Sequence, residues 1–122
     1  MKQLQISDAE WEILKVIWDI SPATVNDISD MLVESKQWHP KTVRTMLNRM
    51  VNKGVLDKTN EQGMYQYFPL HDKEELIKQA SESFLERVFN GALTPMVAHL
   101  VKQRPLTSQE RKELLDILND ED

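Results

Sequence analysis

The apolar positions of residues 1–36 recur at helical spacing and predict two short helices. Residues 7–10, Ser-Asp-Ala-Glu, have the pattern of a capping box, in which the Ser and Glu side chains each satisfy a free backbone N–H. The helix that starts there ends at Ser21-Pro22. Thr24 is suited to cap the second helix, which we expect to end near Lys36. The apolar faces comprise Trp11, Leu14, Ile17 and Trp18, and then Val25, Ile28, Leu32 and Val33.

Residues 38–53 predict a third helix with two chemically different faces. Pro40 suits the first turn, His39 then lies at the N-cap, and Gly54 can close the helix in a left-handed conformation. The apolar side comprises Val43, Met46, Leu47, Met50 and Val51. The opposite side carries cations, Thr and Asn, and comprises Lys41, Thr45, Asn48, Arg49 and Asn52. Such a helix is typical of DNA recognition, and with the preceding helix it predicts a helix-turn-helix.

Residues 55–69 change to the pattern of a β-hairpin. The strands predicted over 55–59 and 64–69 contain β-branched and aromatic residues, and the polar loop from Asn60 to Gly63 ends in glycine. Three helices followed by a hairpin predict a winged helix-turn-helix domain over residues 1–71. For the hairpin taken alone, the alternative is a plain ribbon that helps to close a small core.

Residues 72–122 return to helical spacing and predict three more helices, which run from Asp72 to Asn90-Gly91, from Thr94-Pro95 to Arg104-Pro105, and onward from a capping box at 107–110. Short amphipathic helices in a segment of about fifty residues have more apolar surface than they can bury among themselves. We therefore expect a homodimer in which the contacts come from Phe84, Leu85, Val88, Met96, Val97, Leu100, Leu114, Ile117 and Leu118. The alternative is one monomeric core shared with the winged helix.

The predicted fold class is thus mainly α (α+β), with a winged helix-turn-helix DNA-binding domain followed by a small helical dimerisation domain. The formal net charge of −5 is unusual for a DNA-binding protein. However, five cations and one acid lie between Trp38 and Lys58, which gives a local charge of +4. Because the position of charge matters more than its sum, this segment remains suited to a polyanion.

Composition and motifs exclude several functional classes. The chain contains no cysteine, so disulfide frameworks, zinc knuckles and thiol nucleophiles are excluded. The three histidines lie in different predicted elements, and neither a Ser-His-Asp set nor a glycine-rich phosphate loop occurs. We expect no metal, no cofactor and no enzymatic activity. The sequence has neither an apolar run of about eighteen residues nor a signal-peptide pattern, so we expect a cytoplasmic protein without membrane insertion.

The order and spacing of these motifs resemble the penicillinase and methicillin-resistance repressor family (BlaI/MecI), with copper-responsive repressors as more distant relatives. The resemblance covers nearly the whole chain. In the first half it is carried by residues 6–12, Ile17-Trp18, Trp38, residues 40–45, Lys53-Gly54, Tyr65 and Tyr67-Phe68. In the second half it is carried by Phe84-Leu85, Asn90-Gly91, Met96-Val97, Glu113-Leu114 and residues 117–119.

The resemblance implies a homodimeric repressor that binds a palindromic operator with TACA/TGTA-type half-sites until an inducing signal releases it. In family members that respond to β-lactams, a membrane sensor-protease pathway leads to cleavage of an Asn-Phe bond in the C-terminal domain. The matching residues here are His99 and Leu100. Histidine changes the side-chain chemistry at that bond, so the pathway stays an open expectation. The copper-responsive relatives carry a C-terminal cysteine cluster, and its absence here excludes copper sensing of that kind.

Two sets of DNA contacts are predicted. The candidates for contacts with bases are Lys41, Thr42, Arg44 and Thr45, which match the family's recognition helix, and Asn48. The candidates for phosphate contacts are Arg49, Lys53 and Lys58, while Gln62 and Tyr65 lie near the hairpin tip, where a minor-groove or phosphate contact is feasible. Trp11, Trp18 and Trp38 are expected in the core. A winged helix that binds only protein is the alternative function, and the cationic helix face argues against it.

Overall fold

The computed structural model describes residues 4–120, which form helices and one hairpin. The elements are α1 Asp8–Ile20, α2 Val25–Leu32, α3 Pro40–Lys53, β1 Leu56–Glu61, β2 Met64–Pro69, α4 Lys73–Phe89, α5 Leu93–Gln103 and α6 Ser108–Asn119. The predicted mainly helical fold class is confirmed. The chain divides into two compact units between Ile77 and Lys78. The observed boundary lies six residues after the one expected at residue 71. The first unit extends into α4 because Leu76 is buried in its core.

Side chains cap the helices where the sequence predicts caps. At the start of α1, Ser7 Oγ accepts from the Glu10 N–H at 3.2 Å, and the Ser7 N–H donates to Glu10 Oε1 at 2.9 Å. The same reciprocal capping box begins α2 and α6. At the start of α3, His39 Nδ1 accepts from the Lys41 N–H at 3.0 Å. The helix boundaries are thus fixed mainly by hydrogen bonds between residues two or three positions apart.

One hydrophobic core holds the first unit together. It is built from the inward sides of α1, α2 and α3, from the first turn and a half of α4, and from the hairpin. Its fully buried residues include Ile13, Leu14, Ile17, Ala23, Ile28, Val43, Leu47, Met50, Val55 and Leu56. Trp11, Trp18 and Trp38 pack against this core, as predicted. The first unit therefore has one continuous core, and α3 contributes one side of its length to that core.

The segment after α2 differs from the sequence prediction. The α-helix ends at Leu32, four residues before Lys36, and residues 33–36 form turns. The Lys36 N–H donates to Leu32 O at 2.8 Å, and Gln37 has a positive φ of 56°. Val33 is exposed, so no apolar side chain beyond Leu32 draws this segment onto the core as a helix. The chain instead turns to bring Trp38 against the core.

The predicted four-residue hairpin loop is wrong. Pairing continues through Asn60 with Tyr65 and Glu61 with Met64, so only two residues connect the strands. These are Gln62 and Gly63, with φ of 55° and 85°. Two successive positive φ values are typical of a type I′ turn, whose twist matches that of paired strands. The Gly63 N–H also donates to Asn60 Oδ1 at 2.9 Å, which explains why a polar Asn belongs to the strand end.

The second unit contains the rest of α4 with α5 and α6, and no residue from 78 to 120 is buried. Helix α5 begins at Leu93, so the predicted Thr94-Pro95 start lies inside its first turn. The large exposed apolar side chains of the second unit are Phe84, Val88, Leu93, Val97, Leu100, Leu114, Leu115, Ile117 and Leu118. Between residues 4 and 120, none of the helices is long and apolar enough to span a bilayer.

The closure of α3 at Gly54 yields the first testable prediction. Gly54 has φ of 84°, and a Cβ placed there meets no heavy atom within 4 Å. Gly54→Ala should therefore lower the free energy of unfolding by about 1–2 kcal/mol through backbone strain alone. Gly54→Asn is the matched control and should lower it less, because Asn adopts the left-handed conformation more readily. Urea unfolding followed by circular dichroism measures both, and equal losses would contradict this explanation.

Candidate nucleic-acid interface

The packing of α3 decides which of its side chains face solvent. Val43, Met46, Leu47 and Met50 are buried on one side. The opposite side is exposed along its length, and we call its predicted DNA-contacting residues the recognition face: Lys41, Thr42, Arg44, Thr45, Asn48 and Arg49. The recognition face contains three cations and no acid. It is thus a cationic, hydrogen-bonding strip on a helix that its other side fixes in place.

An open groove of about 340 Å³ lies between α3, the hairpin and the start of α2. It is lined by Thr24, Val25, Asn26, Arg44, Asn48, Lys58, Gly63, Met64, Tyr65 and Tyr67. Four predicted contact residues therefore line one groove: Arg44, Asn48, Lys58 and Tyr65. Lys41, Thr42, Thr45 and Arg49 are exposed on α3 without lining the groove.

A single backbone pairing brings the start of α2 to the hairpin. The Ala23 N–H donates to Tyr67 O at 3.0 Å, and the Tyr67 N–H donates to Ala23 O at 2.7 Å. Both residues are buried. Because Thr24 follows Ala23 directly, this pairing places Thr24 and Asn26 in the groove wall. Sequence reasoning identified Thr24 only as a helix cap and missed Asn26, since an isolated bridge between distant residues leaves no periodic pattern.

Two positive charges border the groove on different elements. Lys58 Nζ on β1 lies 4.3 Å from the centroid of the Tyr65 ring, a cation–π contact that orients the ammonium group. Burial raises the pKa of the Tyr67 hydroxyl, and the nearby positive charge of Arg44 acts in the opposite direction. The hydroxyl therefore stays protonated at neutral pH and can donate a hydrogen bond. Cations, an amide and a hydroxyl donor suit phosphate oxygens and base edges.

Thr45 is already engaged with its own helix. Its Oγ1 donates to Lys41 O at 3.0 Å, one turn earlier. The hydroxyl proton is thus used within α3, which leaves the methyl group and the oxygen lone pairs facing outward. A methyl group in this position suits an apolar contact with a thymine methyl rather than donation to a phosphate.

Lys53 lies apart from the recognition face. Its Nζ donates to Glu10 Oε1 at 2.7 Å and to Gln5 O at 2.8 Å. The Glu10 side chain is only 1% exposed, and its Oε1 also accepts the Ser7 N–H. The Lys53 side chain is 31% exposed, but its ammonium is engaged by these two acceptors of the protein itself, so it is not directed to the recognition face.

The Glu10 carboxyl is subject to opposing influences. Burial on its own raises its pKa, but the hydrogen bonds from Lys53 and Ser7 and the positive charge of Lys53 together outweigh burial. The net effect places the pKa of Glu10 below its ordinary value. The carboxylate form is therefore the one that the folded protein stabilises.

The three histidines serve separate local contacts. His39 caps α3, His71 Nε2 donates to Gly54 O at 3.0 Å, and the His99 ring lies 6.3 Å from the Phe89 ring. Across residues 4–120, no three His, Asp or Glu side chains are grouped as ligands for a metal ion.

The residues predicted for dimerisation form the apolar surface of the second unit, and none of them is buried. A groove of about 630 Å³ between α5 and α6 is lined by the apolar residues Val97, Leu100, Val101, Leu106, Leu114 and Ile117. The ion pair of Arg104 with Glu110, at 3.0 Å, lies among its polar lining residues. The candidate cleavage bond between His99 and Leu100 lies inside α5, and both residues are exposed.

Comparison with known proteins places this geometry in context. The family described as penicillinase repressor has a sequence model that matches residues 6–120. Methicillin resistance regulatory protein MecI of Staphylococcus aureus (strain N315) is 33% identical over 118 residues, which cover 97% of this chain and 96% of that protein. The penicillinase repressor of Bacillus licheniformis is 40% identical over 121 residues, with 98% and 94% covered.

Similarity to a solved structure is concentrated in part of the chain. The solution structure of Bacillus licheniformis BlaI, in its monomeric form in complex with the blaP half-operator, is 40% identical to this chain. The alignment covers 61% of this chain and 90% of that one, with a TM-score of 0.53. The family match, by contrast, runs through both compact units.

The buried Glu10 carboxylate yields a prediction about pH. Because its pKa is lowered in the folded state, its stabilising contribution is present above the unfolded pKa of about 4.3 and is lost as pH falls through the folded value. Glu10→Gln should thus lower the free energy of unfolding most near pH 7, and the difference from wild type should shrink below about pH 4.

Urea unfolding at several pH values measures this difference. Glu12→Gln is the matched control, because Glu12 forms longer and more exposed ion pairs with Lys15 at 3.8 Å and Lys36 at 3.7 Å. Its effect should be small throughout. A Glu10→Gln effect that is constant across the pH range would show that the charge of Glu10 is not what stabilises the fold.

Proposed function

Since this chain belongs to the penicillinase repressor family of winged helix-turn-helix DNA-binding proteins, we propose that it represses transcription as a homodimer bound to a palindromic operator of the TACA/TGTA type. An inducing signal then releases it. The named relatives are repressors rather than enzymes. We place its action in the cytoplasm, with double-stranded DNA and a second copy of the chain as partners and with no cofactor.

The observation that carries the proposal is the convergence of Arg44, Asn48 and Lys58 on one open groove beside the recognition face. Side chains from a helix and from a hairpin then approach the same stretch of duplex. The recognition face enters the major groove, where Arg44 suits guanine and Asn48 suits adenine. Lys58 on the hairpin and Arg49 on α3 neutralise phosphates and set the register of the protein on the duplex.

The second unit supports the homodimer. Its apolar side chains are exposed along α4, α5 and α6, and the groove between α5 and α6 is lined largely by apolar residues. A surface of this kind is covered in a stable soluble protein, and a second copy provides a matching apolar surface. In a twofold dimer the two recognition helices enter successive major grooves about one helical turn apart.

Proteolysis is the route of release that the family resemblance suggests. Its candidate bond, His99–Leu100, lies within α5, and Leu100 O accepts the Arg104 N–H at 2.9 Å. The backbone around the bond is therefore closed by helical hydrogen bonds. Cleavage there through a sensor-protease pathway requires α5 to open locally before a protease can bind the segment in an extended form.

The proposal predicts palindrome-dependent and salt-dependent DNA binding. A TACA/TGTA palindrome should bind far more tightly than a half-site or a scrambled duplex of the same length in a gel-shift titration. If each subunit neutralises about four phosphates, the logarithm of affinity should fall with the logarithm of salt concentration with a slope of about −7.

Three outcomes would contradict the proposed operator binding. A slope near zero would show that no phosphates are neutralised. A normal slope with equal binding of the palindrome and the scramble would show binding without sequence preference. Absence of all DNA binding at low salt would favour the winged helix as a protein-interaction module.

The homodimer predicts a specific effect of charge on α6. Ile117, which is 67% exposed and lines the apolar groove, is proposed to be covered by the second copy. Ile117→Glu should therefore convert the dimer to a monomer and weaken palindrome binding, because an unpaired carboxylate cannot enter an apolar interface without penalty. Sedimentation equilibrium measures the change in mass.

The matched control is Lys112→Glu, which introduces the same side chain on the polar side of α6. Its product should stay dimeric. Dimers of equal stability in both variants would place the interface elsewhere on the chain.

A further inference from the structure

Lys53, the last residue of α3, connects the end of that helix to the beginning of α1 and the segment just before it. Its ammonium donates to Glu10 Oε1 on α1 at 2.7 Å and to Gln5 O in the preceding segment at 2.8 Å. The same Glu10 oxygen accepts the Ser7 N–H that caps α1. One carboxylate oxygen therefore joins the beginning of α1 to the end of the recognition helix.

This ion pair differs from the other ion pairs in the first unit. Glu10 is 1% exposed, whereas Glu12, which pairs with Lys15 and Lys36, is 32% exposed and lies at longer distances. Glu10 Oε2 is buried and has no hydrogen-bond partner among residues 4–120. A buried carboxylate with one unpaired oxygen depends strongly on the partners of the other oxygen. Loss of Lys53 would leave a buried carboxylate without its cation, whereas loss of Lys15 or Lys36 would leave the more exposed carboxylate of Glu12 in contact with water.

The ion pair lies at the end of α3, where it can influence the orientation of the recognition face. It holds the C-terminal turn of α3, while the opposite end is capped by the exposed His39 and packed against the core through Val43. Helix α3 has 14 residues and is thus about 20 Å long. A tilt of about 5° over this length would move one end of the helix by nearly 2 Å relative to the other, which exceeds the tolerance of base hydrogen bonds.

We propose that Lys53 is a positioning residue: through Glu10 it fixes the tilt of α3 and so sets the selectivity for the operator, without contacting DNA itself. This inference rests on the proposed function, because operator selectivity presupposes operator binding. It replaces the expectation from sequence that Lys53 neutralises a phosphate. The two roles have different signatures, since loss of a phosphate contact weakens all sequences alike and lowers the salt slope, while misplacement of the helix lowers selectivity.

The test compares Lys53→Met and Glu10→Gln in the full chain. Affinities for a TACA/TGTA palindrome and for a scrambled duplex are measured by fluorescence anisotropy over a range of salt concentrations. Circular dichroism at the assay temperature confirms that each variant is folded. The two substitutions change the net charge in opposite directions, so a loss of selectivity common to both cannot come from long-range electrostatics.

Both variants should lower the ratio of operator to scramble affinity about tenfold, the discrimination provided by one bidentate base contact. Affinity for the scramble and the salt slope should stay near wild type. Lys53→Arg, which keeps a donor for Glu10, should retain most of the selectivity. It also serves as the second variant if Lys53→Met lowers stability too far, because its ratio must then exceed that of Glu10→Gln.

Two controls separate positioning from other roles. Lys58→Met should weaken binding of both duplexes and reduce the magnitude of the salt slope by about 2 per dimer, as expected when each subunit loses one phosphate contact. Lys15→Met removes an exposed ammonium of α1 and should change neither quantity.

An unchanged operator-to-scramble ratio in folded Lys53→Met and Glu10→Gln would overturn the inference while leaving the proposed function intact. A uniform loss of affinity with a reduced slope in Lys53→Met would also overturn it, in favour of a phosphate contact. A wild-type protein without operator preference would instead overturn the proposed function and this inference with it.

Discussion

The burial of one side of α3 is the constraint on which the rest of the first unit depends. Val43, Leu47 and Met50 are fully buried, so α3 cannot rotate without moving apolar side chains into water. The cations on the other side are therefore held in solvent as a consequence of packing. The hairpin and the start of α2 form the open groove together with α3, whose position is fixed by its buried side. The orientation of the recognition face is thus a consequence of how the core is closed.

Much of this arrangement follows from residues close together in the sequence. The capping boxes at Ser7 and Thr107 act over three positions, and the two faces of α3 follow from a repeat of three and four residues. Interactions at this range are encoded in any short window, which is why the helices and the recognition face could be predicted. The exact turn was less predictable, because a type I′ geometry at Gln62 and Gly63 depends on how far the strands continue to pair.

The features that escaped prediction join residues that are far apart in the chain. Nothing near Ala23 indicates that it pairs with Tyr67, and nothing near Lys53 distinguishes it from the other cations of α3. Only the position of the Glu10 carboxylate distinguishes Lys53, which forms an ion pair within the first unit, from the cations of the recognition face. The same limit applies to the second unit, where the apolar faces of α4, α5 and α6 were predictable from periodicity, but no local pattern specifies what those faces contact.

The pairing of Ala23 with Tyr67 also bears on the behaviour of the protein in solution. A two-stranded ribbon has two open edges, and open edges allow strands of different molecules to join. Ala23 pairs with the N–H and C=O of Tyr67 that face away from β1, so a strand of another molecule cannot pair along the whole of that edge of β2. The other edge belongs to β1, where Asp57, Lys58 and Glu61 place alternating charges. The hairpin can therefore project far enough to reach a ligand without becoming a template for aggregation.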